Sequence, residues 1–168
     1  RPPRSTLFPY TTLFRSLMEI NYDICPLDLI YLDDLTSMGI DLWPKNEYHE
    51  LREEFEQLAQ LEDQIIYLAL MEDLPIGFIH MSLRKDYVEG ADSSPVGYIE
   101  GVYVIPEFRR KNVSRRLVAE GQKWAMAQNC TQIASDIEDD NQISQTFHLA
   151  IGFKEVNRVI CYIKDIEE

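Results

Sequence analysis

At 168 residues, with 45% hydrophobic and 11% aromatic side chains, the chain carries enough apolar material for one domain with a sizeable core, which excludes a disordered polymer. Its longest apolar runs fall short of the ~20 residues of a membrane-crossing helix, so no membrane role is expected. Sixteen basic residues stand against 29 acidic ones, and the net charge of −13 repels nucleic acid phosphates while favouring a polycationic partner.

Residues 1–17 (RPPRSTLFPYTTLFRSL) oppose that charge trend, with three arginines and no acid. The apolar pieces are broken by Pro9 and Arg15 and lack a small-residue cleavage site, so the stretch does not read as a secretory signal. It is expected to be a non-native extension, leaving residues 18–168 as a single domain, with the cytoplasm as the default location.

From Met18 onward the pattern predicts alternating strands and helices, an α/β or α+β layered fold. Met18 to Cys25 alternates as a first strand. Leu27 to Met38 and Glu47 to Leu61 carry apolar residues at helical spacing. Ile65 to Met71 and Ile76 to Leu83 predict a hairpin, and Val96 to Ile105 a further strand. Next come a helix from Asn112 to Asn129, a strand from Thr131 to Asp136, and a helix from Asn141 to Ile151 closed by Gly152. Phe153 to Ile163 predicts a final strand. Cys25, Cys130 and Cys161 have neither paired spacing nor nearby histidines, so free thiols are expected, with no disulfide framework and no metal site.

The chemistry concentrates where the strand ending at Ile105 runs through a basic turn into the next helix. Unpaired N–H groups at a helix start aim at an anion, which suits a phosphate or pyrophosphate. Five basic residues lie between Arg109 and Arg116, two of them in the first helical turn, where the macrodipole disfavours cations. A bound polyanion explains them; a solvated basic patch paired with acids elsewhere is the other explanation.

Arg109, Arg110, Lys111, Asn112, Val113 and Ser114 fill the six positions of a motif that resembles the pyrophosphate loop of the GNAT superfamily of acyl-CoA N-acyltransferases. Asn112 and Ser114 depart from its small residues, although asparagine tolerates left-handed backbone and serine is small. The resemblance implies a GNAT fold, a central mixed, mostly antiparallel sheet flanked by helices, with acetyl-CoA as cosubstrate. It also implies a bulge, for which Gly101 is well placed, with Val102, Tyr103 and Val104 offering backbone to the cofactor. Arg115 would join the loop at the pyrophosphate, and Asn141 and His148 would make further cofactor contacts.

Short matches in order narrow the resemblance: Ser94 to Val104, Ala134-Ser135-Asp136, Asp140-Asn141, His148 before Ile151-Gly152-Phe153, Asp41-Leu42-Trp43, and Asp86 to Gly90. These resemble aminoglycoside 6′-N-acetyltransferases, which implies a cationic aminoglycoside substrate and a homodimer. The resemblance places Glu100 beside the reactive nitrogen, Asp136 on the antibiotic amines, and Trp43, Asn46 and Tyr87 along the sugar cleft. His148 would donate to the cofactor or return a proton to the CoA thiolate. Each has a plainer reading as well: an edge glutamate, a solvated acidic loop, aromatic packing, a structural histidine. At the level of function, an acetyltransferase for another polyamine or peptide amine, or a non-catalytic acetyl-CoA sensor, stays open beside the aminoglycoside reading.

Overall fold

The computed structural model describes residues 20–166; residues 1–17, read above as a foreign extension, lie outside them. One five-stranded sheet runs in the order β1 (Asp23–Pro26), β2 (Gln64–Met71), β3 (Leu74–Arg84), β4 (Val96–Val104), β5 (Ile133–Ser135). The first four strands are antiparallel neighbours, and β5 is parallel to β4, so the sheet is mixed and mostly antiparallel as expected. Parallel pairing needs a crossover, and helix α3 (Val113–Ala127) supplies it. Helices α1 (Leu32–Leu42) and α2 (Tyr48–Leu58) connect β1 to β2, and α4 (Gln142–Ala150) follows β5.

Strand alternation splits the sheet into two apolar faces. One packs Ile79, Met81 and Ile99 under Val113, Leu117 and Val118 of α3. The other packs Ile66, Leu68, Phe78 and Tyr103 under Leu35, Leu51 and Phe55 of α1 and α2. Leu35, Leu68, Phe78 and Leu117 are fully buried, and truncating any one to alanine removes about 2–5 kcal/mol. Past the edge of α1 and α2 the second face turns polar, with His80, Ser82 and Arg84 at every other position of β3. That edge is where a site can open.

Two expected strands differ. The first is shorter and includes Pro26, which pairs with Tyr67; an edge strand tolerates proline because one of its backbone sides needs no partner. The final strand expected over Phe153 to Ile163 is absent as a strand. The segment is irregular, with Val159, Ile160, Tyr162 and Ile163 between 68% and 98% exposed. A β-rich sequence takes up strand geometry only beside an edge that accepts its backbone hydrogen bonds, and among the described residues none pairs with it.

Candidate functional site

The β3–β4 ladder slips between His80 and Met81: His80 faces Gly101 while Met81 faces Ile99, so Glu100 is the extra residue of a bulge. The expected irregularity is therefore present, one residue before Gly101. Gly101 has a different job. A Cβ there would stand 2.5 Å from the Trp43 indole, so only glycine lets that ring cross the strand. Trp43 is fixed from behind by Phe55 and Phe78, at ring-centroid distances of 6.3 and 6.1 Å.

Trp43, Asn46, Glu54, Gln64, His80 and Glu100 line a cavity of about 400 Å³, within the range of small-ligand pockets. Glu100 accepts hydrogen bonds from the Ser82 hydroxyl and from Arg84, whose Nη2 lies 3.0 Å from each carboxylate oxygen. His80 bonds through Nε2 to the Gln64 side-chain oxygen at 2.7 Å. Burial pushes the His80 imidazole below its ordinary value, with the Glu100 charge opposing that shift, so the ring sits neutral beside a carboxylate.

Asp136 follows β5 and accepts from the Tyr98 hydroxyl. Burial and then that hydrogen bond hold the phenol well above its ordinary range. Asp136 therefore meets Glu100 through Tyr98 and Arg84, and it does not line the same cavity. Tyr87 stands apart, 82% exposed with its hydroxyl donating to Glu89.

A second opening lies beside β4. Strand β5 pairs only with Gly97, Tyr98 and Ile99, so among the described residues the outer edge from Glu100 to Val104 has no strand beside it. An extended ligand can pair there with the backbone of Val102 to Val104. The edge leads to the start of α3, where Arg110 and Asn112 both adopt left-handed backbone, at φ 61° and 66°. Asparagine at the N-cap fits, as expected; its side chain makes no capping bond, so the first-turn amides point outward unclaimed by it.

The basic cluster divides. The Arg109 Nε donates to the Val104 carbonyl at 2.9 Å, Arg115 to the Ala150 carbonyl at 3.2 Å, and Arg116 to the Tyr22 carbonyl at 3.4 Å. These three brace neighbouring elements through one donor each, and the remaining N–H groups of each guanidinium stay available to an anion. All five are exposed, and Arg110 and Lys111 are the two with no carbonyl contact of this kind among the described residues. Val113 is 1% exposed, so only its backbone amide can face a ligand; Ser114 follows in the first turn.

The Asn141 side chain accepts from the Ser144 amide at 3.0 Å and caps α4. The His148 ring donates from Nδ1 to the Ser144 carbonyl at 2.8 Å. Its Nε2 is buried without a partner among the described residues, between Phe147 and Phe153. Nε2 is thus the ring atom left available to a ligand.

Ser82, Arg84, Tyr98 and His80 are site residues that sequence reading missed. The signal was present: His80, Ser82 and Arg84 recur at period two in an otherwise apolar strand, which marks a single polar face.

Residues 31–153 match the model of the acetyltransferase (GNAT) family. The aminoglycoside N(6′)-acetyltransferase type 1 of Salmonella typhimurium is 37% identical over 142 residues, covering 84% of this chain and 98% of that one. Among solved structures, AAC(6′)-Iy in complex with a bisubstrate analogue superimposes with a TM-score of 0.82 at 36% identity, covering 87% of this chain and 99% of that one. The aminoglycoside 6′-N-acetyltransferase AAC(6′)-Ih from Acinetobacter baumannii also superimposes with a TM-score of 0.82 at 36% identity, covering 88% of this chain and all of that one.

Proposed function

The chain belongs to the acetyltransferase (GNAT) family, and on that footing we propose that it transfers the acetyl group of acetyl-CoA to the 6′-amine of aminoglycoside antibiotics and so confers resistance to them. The observation that carries this reading is the bulge at Glu100. It lets one strand turn a carboxylate toward the cavity beneath Trp43 while leaving its backbone edge free for an extended cosubstrate.

The residues fit acetyl-CoA on both counts its shape demands. The open backbone of Val102 to Val104 suits the pantetheine arm. The first-turn amides of Val113, Ser114 and Arg115, with Arg110 and Lys111, suit the pyrophosphate. Arg109 holds the loop to the end of β4, and Asn141 holds the start of α4. The acceptor's cationic ring fits among Trp43, Asn46 and the acids Glu54 and Glu100, and the parts of the substrate that extend beyond this cavity would meet Asp136 and Tyr87.

The amine nitrogen attacks the thioester carbonyl carbon, the carbon–sulfur bond breaks, and CoA departs as thiolate. The proton lost by nitrogen passes to Glu100, directly or through water, and the thiolate takes up a proton in turn. Holding both reactants together supplies much of the rate, and a backbone N–H of the bulged strand polarises the carbonyl. His148, with its Nδ1 engaged by Ser144 and its Nε2 without a partner among the described residues, offers Nε2 to the cofactor or to the departing thiolate.

The cytoplasm supplies acetyl-CoA and is where this activity operates. The working unit is a homodimer. In support, the exposed Val159, Ile160, Tyr162 and Ile163 form an apolar segment that a second copy can cover. Residues 18–168 act as the acetyltransferase domain, and residues 1–17 are foreign to it.

A thiol-release assay with acetyl-CoA against kanamycin or tobramycin, spermidine and a lysine peptide tests the reading. Release with the aminoglycosides alone is expected, and Glu100→Gln should lower kcat by about 10²-fold while leaving acetyl-CoA binding in place. Release with spermidine or peptide instead overturns the substrate.

A further inference from the structure

An acidic cleft that binds a polycation also stabilises the protonated form of the amine that must attack. A lone carboxylate beside a bound ammonium raises the amine's pKa, and a protonated nitrogen has no lone pair to offer. One side chain in this cleft is placed to relieve that conflict.

Arg84 is the last of the three polar residues on the inner face of β3. Its Nη2 lies 3.0 Å from both oxygens of Glu100, and its Nε lies 3.3 Å from Oε1. The Ser82 hydroxyl also donates to Oε1, so that oxygen takes three donors while Oε2 takes one. Arg84 further lies flat on Tyr98, its guanidinium carbon 3.2 Å from the ring centroid, and Tyr98 donates to Asp136. A single guanidinium thus stands between the two acids of the acceptor side, with Glu100 28% and Arg84 41% exposed. An ion pair this open to water adds little stability. Its effect on charge inside the cleft is larger, because the arginine stays cationic at every working pH.

The other charged and titratable groups around Glu100 do not supply this. His80 on β3 is neutral, Glu54 reaches the cavity from α2, Asp41 at the end of α1 is bonded to Tyr103, and Asp136 follows β5. Apart from the neutral imidazole these are acids, so Arg84 is the counter-charge.

We propose that Arg84 is a positioning residue for the acceptor amine: it pins Glu100 through both oxygens, leaves the less crowded Oε2, with its single donor, able to accept from the amine, and offsets the carboxylate's charge so that the bound amine loses its proton near neutral pH. This rests on the acetyltransferase reading, because it needs an amine acceptor at Glu100.

The test is kcat for thiol release with tobramycin between about pH 5.5 and 9.5, in wild type, Arg84→Gln and Arg84→Lys. The rising limb of kcat reports deprotonation in the complex. In Arg84→Gln the limb moves up by about one pH unit, so kcat near pH 7 drops about tenfold, while KM for tobramycin falls because the ammonium is held more tightly. Arg84→Lys keeps the charge and loses the fork, so its limb stays at the wild-type position with a lower plateau. KM for acetyl-CoA stays at the wild-type value in both. A limb unmoved in Arg84→Gln, or displaced in Arg84→Lys, overturns the proposal while the functional reading stands. A wild type that releases no thiol with tobramycin at any pH overturns both.

Discussion

His80 is a buried imidazole whose titration lies below its ordinary value because burial penalises the charged ring. The unfolded chain, with the ordinary value near 6.5, therefore takes up a proton that the native protein refuses. Above pH 6.5 the ring is neutral in both states and contributes no pH dependence. As the pH falls below 6.5 toward the folded value, stability is lost. Thermal melts of wild type and His80→Gln between pH 7 and 5 should show the wild type falling more steeply; parallel slopes would contradict the assignment. At this scale the sequence was read well where a residue's own chemistry decided the outcome. Asn112 took the left-handed conformation that asparagine tolerates, and Gly152 the positive φ of a helix end. Partners are what the sequence does not show: the Val104, Ala150 and Tyr22 carbonyls that Arg109, Arg115 and Arg116 brace are marked by no pattern, and only the fold brings them together.

The elements that make the site are the bulged β4 and the loop entering α3. Gly101 admits the Trp43 indole, which is itself wedged against Phe55 and Phe78 and has no room to retreat. Gly101→Ala should therefore destabilise the protein by about 1–3 kcal/mol, with a raised KM for the acceptor as the ring is displaced. Urea unfolding and steady-state kinetics check the two effects, and an unchanged urea midpoint with wild-type KM would contradict the contact. The second and third helices and the β2–β3 hairpin were legible because their apolar periods are long and clean, whereas the first helix, expected over Leu27 to Met38, runs from Leu32 to Leu42. The last strand was misread because strand formation depends on a neighbouring edge, which period-two patterning cannot reveal. Val156 instead packs over Gly90, and Asn157 bonds to Glu89, which ties the start of that segment to the β3–β4 loop.

The molecule as a whole carries a net charge of −13 and an apolar tail end, and the two make separate demands. Charge draws a polycation toward the cleft, whereas exposed Ile160 and Ile163 need cover. If a second copy provides it, light scattering after size exclusion should give a dimer for wild type, and the pair of changes Ile160→Asp and Ile163→Asp should give a monomer that still folds. A monomeric wild type would contradict the proposed assembly. The fold class was readable from the order of elements. The division of the sheet's second face into an apolar half under α1 and α2 and a polar half around Glu100 was not, since it depends on where those helices stop.

The most direct test of the central claim is the position of the acetyl group in the product. Wild-type protein is incubated with acetyl-CoA and kanamycin, and the purified product is assigned by NMR. A single acetyl group on the 6′-nitrogen, formed with one equivalent of free CoA, is the predicted result. Acetylation at another nitrogen, or unmodified kanamycin recovered beside intact acetyl-CoA, would contradict it.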